Sequence, residues 1–151
     1  MAGLHIRRQI RDRAISMLTG LPTTGANVFA SRVHPLEPAR LPAICIYTLS
    51  EESSLMNMGS VRHLQRNLDL IVECVTAIVD ELDDTLDAMA VEVETVMAAD
   101  QSIGGLTYDA VLTSTRIALH PQRESERPTG SAILTYRVTY RTRASDPTMI
   151  N

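Results

Sequence analysis

Carboxylates are the most concentrated reactive groups of this chain, and they gather in one short segment. Asp80, Glu81, Asp83, Asp84 and Asp87 lie where an apolar pattern of helical spacing begins. Acids at a helix N-terminus complement the helix dipole by about 0.3–1 kcal/mol each. The cluster could instead pair with a basic patch of a neighbouring subunit, or bind a divalent ion. The ion-binding interpretation is the weakest, because the spacing lacks the glycine turn and the closing glutamate of a calcium loop.

The other groups that could perform catalysis are dispersed. The histidines lack ligand-spaced partners and lie at His5, His34, His63 and His120. No serine stands in a nucleophile elbow, and the pair Gly104–Gly105 lacks the surrounding pattern of a phosphate-binding loop. Cys45 and Cys74 each lie within an apolar, strand-like run, which is typical of reduced, buried thiols. The sequence therefore predicts no enzyme, no cofactor and no metal centre.

Basic residues gather near the N-terminus, at Arg7, Arg8, Arg11 and Arg13. All 14 basic residues of the chain are arginines. The planar guanidinium suits ion pairs at interfaces, although exclusive use of arginine also matches a GC-rich genome. These four arginines are the predicted partners of the acidic cluster if the two patches meet between subunits.

Composition disfavours two classes of partner. The net charge of −4 argues against non-specific nucleic-acid binding, which relies on basic patches. The scarcity of aromatic residues argues against stacking platforms for bases, and no sequence-specific nucleic-acid binding is expected. No run approaches the ~18 uncharged apolar residues of a membrane span, and the N-terminal arginines do not precede a short hydrophobic signal region. We therefore expect a protein of an aqueous compartment without membrane partners.

Hydrophobic periodicity predicts the order α-β-β-β-α-β-β. The predicted helices cover about 4–19 and 80–99, and the predicted strands cover 27–33, 43–49, 61–75, 107–119 and 132–140. Short links favour antiparallel pairing, so we expect an α+β two-layer sandwich with a mostly antiparallel sheet of about five strands and both helices on one face. One domain is expected over residues 1–143, followed by a frayed polar tail over 144–151.

Two strands carry face patterns that the structure can test. In the third strand the even positions from Leu64 to Cys74 are apolar except Arg66. The opposite face is expected to be wet and holds His63, Gln65, Asn67, Asp69 and Glu73. In the fourth strand, one face is expected to hold Val111, Thr113, Thr115, Ile117 and Leu119.

Apolar and basic side chains at two further places suggest contact surfaces. Leu55, Met56 and Met58 interrupt the otherwise polar loop expected over Glu51–Ser60, and they either meet a partner or fold back onto the core. Arg137 and Arg141 share a face of the last strand, where they are either solvated or part of a subunit contact.

Three stretches resemble the bacteriophage tail terminator family, the minor tail protein U-like proteins of long-tailed phages. They are LPTTGANVFASRVHPLEPARLPAICIYT (Leu21–Thr48), with its irregular proline-punctuated link, DELDDTLDAMAVEVETVM (Asp80–Met97) and LTYRVTYRT (Leu134–Thr142). No family residue carries over onto Glu51–Ser60. The resemblance rests on structural rather than catalytic motifs.

The resemblance implies a structural virion protein. It implies a homohexameric ring that caps the tail tube, stops its elongation and joins the tail to the head connector. The implied partners are further copies of the chain, the tail tube protein and the connector, at the head-proximal end of a tail assembled in the host bacterial cytoplasm. Two alternatives are a neck or tail-completion protein nearer the head and, from a different class, a small ligand-binding or enzymatic α+β domain.

Overall fold

A computed structural model describes residues 3–30, 38–77, 80–120 and 128–151 of the chain. Residues 31–37, which contain part of the proline-punctuated link and the end of the strand expected over 27–33, therefore lie outside the described residues, as do residues 121–127. The elements are α1 (Ile6–Leu18), β1 (Val28–Phe29), β2 (Ala43–Leu55), β3 (His63–Ala77), α2 (Leu82–Ala99), β4 (Asp109–His120), β5 (Thr129–Arg143) and β6 (Asp146–Ile150). The predicted α+β class and the predicted order of elements are confirmed, with β6 as an additional strand.

The six strands form one mostly antiparallel sheet. Their order is β1-β2-β3-β5-β4, and only the short pair β1–β2 is parallel. Strand β4 accompanies β5 up to the pair Asp109–Thr139, and β6 then takes the same edge of β5 at Thr142–Ile150. The C-terminal segment, expected to be frayed, thus pairs with backbone groups that β4 leaves open.

Both helices cover one face of the sheet and enclose the core. Helix α1 crosses from β6 to β1 and β2, while α2 packs on β3, β5 and β4. Their buried residues follow helical spacing: Ile6, Ile10, Ala14 and Leu18 from α1, and Leu86, Met89, Val93 and Met97 from α2. Alternate residues of β3 and β5 meet them, including Leu68, Leu70, Val72, Leu134, Tyr136, Val138 and Tyr140.

A β-bulge changes the course of β2 and extends it beyond the predicted end at residue 49. Thr48 pairs with Leu70 and Glu51 pairs with Leu68, so one extra residue lies between them on β2. The extra residue reverses the alternation of faces. Glu51 therefore points to the helix layer, and β2 continues in register with β3 as far as Leu55.

A second bulge overturns the expected face pattern of β4. Leu112 pairs with Tyr136 and Ser114 pairs with Thr135, which leaves Thr113 as the extra residue. Val111 consequently lies on the helix-free face, whereas Thr115, Ile117 and Leu119 lie on the opposite face. The expectation that all five shared one face was wrong, because a period of two cannot reveal an inserted residue.

The helix-free face of β3 is less exposed to solvent than expected. Ile71 is 2% exposed and Glu73 is 3% exposed, although Glu73 was expected to face water. Its carboxylate accepts hydrogen bonds from Tyr47 Oη at 2.9 Å and from Ser131 Oγ at 2.8 Å. These bonds on both neighbouring strands compensate for the loss of water around the charge.

Candidate functional site

The acidic cluster lies on the surface at the start of α2. Asp80, Glu81, Asp83, Asp84 and Asp87 are all exposed, and Asp83 and Asp84 occupy the first helical turn. At this position the carboxylates stabilise the helix dipole of α2. Over the described residues, no group of three or more His, Cys, Asp or Glu side chains is arranged to hold a metal ion.

The four arginines of α1 do not form one free patch. Arg7 bonds through Nη1 to Glu51 Oε2 at 2.7 Å, and Arg8 Nε lies 3.6 Å from Asp12 Oδ2 on the same helix. Arg11 is half-buried, whereas Arg8 and Arg13 are exposed. Arg8 and Arg13 therefore remain the members best placed to meet another subunit.

The chain also contains a charged cluster between α1 and the sheet that the sequence pattern did not predict. The side chain of Glu51 is 9% exposed and that of Arg66 is 11% exposed, and Arg66 Nη1 donates to Glu51 Oε2 at 3.2 Å. Tyr140 Oη also donates to Glu51, and Arg66 Nε donates to Thr142 Oγ1 at 3.0 Å. Burial and the bond to Glu51 raise the pKa of Tyr140 well above its usual range. The one signal in the sequence was Arg66, the exception on the apolar face of β3.

The tip of the β2–β3 hairpin, residues 56–62, presents apolar side chains to solvent. Leu55 is 42% exposed, Met56 is 41% exposed and Met58 is 86% exposed. Leu55 is the last residue of β2 and not part of a loop, contrary to expectation. Since all three side chains face water, the alternative that they fold back onto the core is wrong.

The hairpin tip nevertheless has a defined backbone. Asn57 Nδ2 donates to the Val61 carbonyl at 2.8 Å, and the His63 amide donates to Asn57 Oδ1 at 2.9 Å. One asparagine side chain therefore bridges the two arms of the tip. The exposed methionines stand on a preorganised turn, which lowers the entropy lost on docking.

Arg137 and Arg141 lie on the helix-free face, and both have contacts within the subunit. Arg137 Nε lies 4.0 Å from Asp69 Oδ1 and its side chain is 57% exposed. The Arg141 guanidinium lies 4.2 Å from the centroid of the Tyr108 ring, at cation–π distance. Arg137 is thus the freer of the two for a partner.

Both cysteines are buried thiols, as expected. Burial, followed by the charge of Glu73, raises the pKa of Cys45 and of Cys74 to about 12. A thiol with so high a pKa is a poor nucleophile near neutral pH.

No helix among the described residues is both long enough and apolar enough to cross a membrane.

Comparison with known proteins gives a family match and likenesses to solved structures. The family model described as phage minor tail protein U matches residues 5–140. No curated protein sequence matches the chain. Among solved structures, a chain of "Virion of native gene transfer agent (GTA) particle" is 11% identical, with a TM-score of 0.40, over 89% of this chain and 92% of that chain.

Proposed function

The chain belongs to the phage minor tail protein U family and is a structural protein of a phage tail; from this premise we propose that it is the tail terminator. In this role, copies of the chain form a ring, with six subunits, on the end of the tail tube. The ring stops addition of further tube subunits and provides the joint to the head. The observation that carries the proposal is the family match, which spans both helices and most of the sheet.

The surface of the subunit supports an assembly role. A ring contact joins two different patches of the same chain, head to tail. The subunit offers such patches: exposed arginines on α1, exposed acids on α2, and an apolar hairpin tip. Opposite charges on separate elements favour one orientation of the neighbour and disfavour the reverse one.

The proposed partners follow from the position of a terminator. One ring face binds the tail tube protein, and the other binds the head-tail connector or neck protein. The proposed location is the head-proximal end of the tail, after assembly in the cytoplasm of the host bacterium. This role requires only binding surfaces, and no step in it is catalytic.

Deletion of the gene from its phage tests the proposal. We expect tails longer than normal that fail to join heads, while heads still fill with DNA, because an uncapped tube continues to accept subunits. Supplying the chain from a plasmid should restore tail length. Tails of normal length that merely fail to attach would contradict the terminator role and favour a neck protein.

The ring itself is tested by mass. Sedimentation of the purified chain, 16.6 kDa as a monomer, should reveal a six-fold species at high concentration or on isolated tails. A different fixed number of copies on the tail would overturn the hexamer while leaving the capping role intact.

A further inference from the structure

A groove separates the C-terminal half of α2 from β4. Its volume is about 260 Å³, and its lining includes Glu94, Ala98, Ala110, Leu112 and Tyr136. The lining is mostly apolar, and Glu94 is the only charged residue among the described residues that form it. The groove therefore fits an apolar segment that also carries a positive charge.

Tyr136 provides a second sign that the groove receives a partner. The residue is 3% exposed, and its hydroxyl makes no hydrogen bond with any described residue. A buried hydroxyl without a partner is unfavourable, and few persist in folded proteins without a reason. Burial, and next the charge of Glu94, raise the pKa of Tyr136, so the hydroxyl stays protonated as a donor. A carbonyl oxygen entering the groove would satisfy it.

The hairpin tip has the complementary chemistry. Met56, Met58 and Val61 are exposed apolar side chains, and the neighbouring Arg62 is exposed as well. No acid occurs between residues 53 and 62. The tip thus combines apolar area with a positive charge, which matches the apolar lining and the carboxylate of the groove.

The hairpin tip and the groove lie on different sides of the subunit, as a head-to-tail contact between two different surfaces requires. The hairpin is built from β2 and β3, whereas the groove borders β4 at the far end of the strand order β1-β2-β3-β5-β4. Along the strands, the groove lies level with the middle of β5, because Leu112 pairs with Tyr136, whereas the hairpin extends past the pair His63–Arg143 at one end. A subunit therefore presents the tip on one side and the groove on the other.

We propose that the hairpin tip of one subunit docks into the α2–β4 groove of the next copy of the chain. Met56 and Met58 cover the apolar lining, Arg62 faces Glu94, and a backbone carbonyl of the tip accepts the Tyr136 hydroxyl. The proposal rests on the ring of the proposed function, for which it names the subunit contact.

Mixed disulfide cross-linking tests the contact directly. One chain carries Met58→Cys and another carries Ala98→Cys, both at exposed positions. The native thiols of Cys45 and Cys74 are buried, so we expect them to form no cross-links. We expect disulfide-linked pairs in the mixture, and little in either variant alone. A mixture of Ser16→Cys and Ala98→Cys is the control, since Ser16 is exposed on α1 outside both surfaces.

Charge exchange tests the pairing of Arg62 with Glu94. Arg62→Glu and Glu94→Arg should each weaken association about ten-fold by sedimentation, and the double variant should recover most of the loss. Thermal unfolding of each monomer checks the fold. Tyr136→Phe should leave the unfolding temperature of the monomer unchanged or higher, and still weaken association.

The outcomes separate this contact from the ring. If the wild type forms rings but cross-links are absent and both charge variants assemble normally, the contact is overturned and the ring stands. If Met58→Cys cross-links only to added tube protein, the tip serves the tube and the proposal fails. If the wild type never self-associates, alone or on tails, both the contact and the ring are overturned.

Discussion

Arg7 Nη1 lies 2.7 Å from Glu51 Oε2, and this ion pair fastens α1 to β2 just beyond its bulge. Glu51 reaches the helix layer only because the extra residue in β2 reverses the alternation of faces. The same carboxylate bonds to Arg66 and Tyr140. Arg7, which the sequence analysis placed among the candidate contacts between subunits, thus takes part in the internal packing of its own subunit.

Removing the charge of Glu51 should destabilise the subunit. Glu51→Gln leaves the largely buried guanidinium of Arg66 without its carboxylate, and loss of one partner from a buried ion pair costs about 3–5 kcal/mol. Urea unfolding followed by circular dichroism measures the change. Glu52→Gln, at the exposed neighbouring position, should shift stability by less than about 0.5 kcal/mol. Equal effects of the two substitutions would contradict the assigned role of Glu51.

The exposed arginines of α1 should contribute to ring formation. Arg8→Glu with Arg13→Glu should weaken association if they meet the acidic cluster of the next subunit, and adding Asp83→Arg with Asp87→Arg should partly restore it. Arg7 is left intact, since its pairing with Glu51 would confuse folding with assembly. Sedimentation over a range of concentrations measures the effect, and unchanged association of the first double variant would refute the charge coupling.

Stability should fall as the pH drops through the range in which His5 titrates. His5 Nδ1 accepts a hydrogen bond from the Arg7 amide at 3.0 Å and caps α1, a bond that the protonated ring cannot accept. Burial and the charge of Arg7 lower the pKa of His5 below 6.5. The unfolded chain then binds the proton more readily, so stability present above pH 6.5 is lost as the pH falls toward the lowered pKa. Thermal unfolding at pH 7.5 and 5.5 should show the loss, and His5→Ser, which keeps a cap without this titration, should show a smaller one.

The hairpin tip should exchange amide hydrogens faster in the free subunit than in the particle. The amides of Met56 and His63 are hydrogen-bonded within the hairpin, whereas Met58 and Gly59 lie at its exposed end. Docking would exclude water from that end and slow exchange there. Mass spectrometry of the free and assembled protein compares the two states. Equally fast exchange at Met58 in both states would show that the hairpin tip makes no contact in the assembled particle.

The sequence predicted the helices and most strands because their apolar positions repeat at 3.6 and 2 residues. It could not predict the bulges at Thr48–Glu51 and at Thr113, because an inserted residue becomes evident only against the partner strand. The charged cluster around Glu51 could not be predicted for the same reason. The pairing of Arg66 with Glu51 depends on a register that composition does not encode.

The bulge at Thr113 has a further consequence for the solubility of the chain. The outer edge of β4 pairs with no other strand of the described chain, and Ile117 and Leu119 beside it are 49% and 63% exposed. A long, straight, apolar edge invites open-ended stacking of sheets into fibres. The bulge bends the strand and interrupts the regular spacing of its amide and carbonyl groups, so a foreign strand finds no uninterrupted template. The bulge thereby protects the chain against edge-to-edge aggregation through β4.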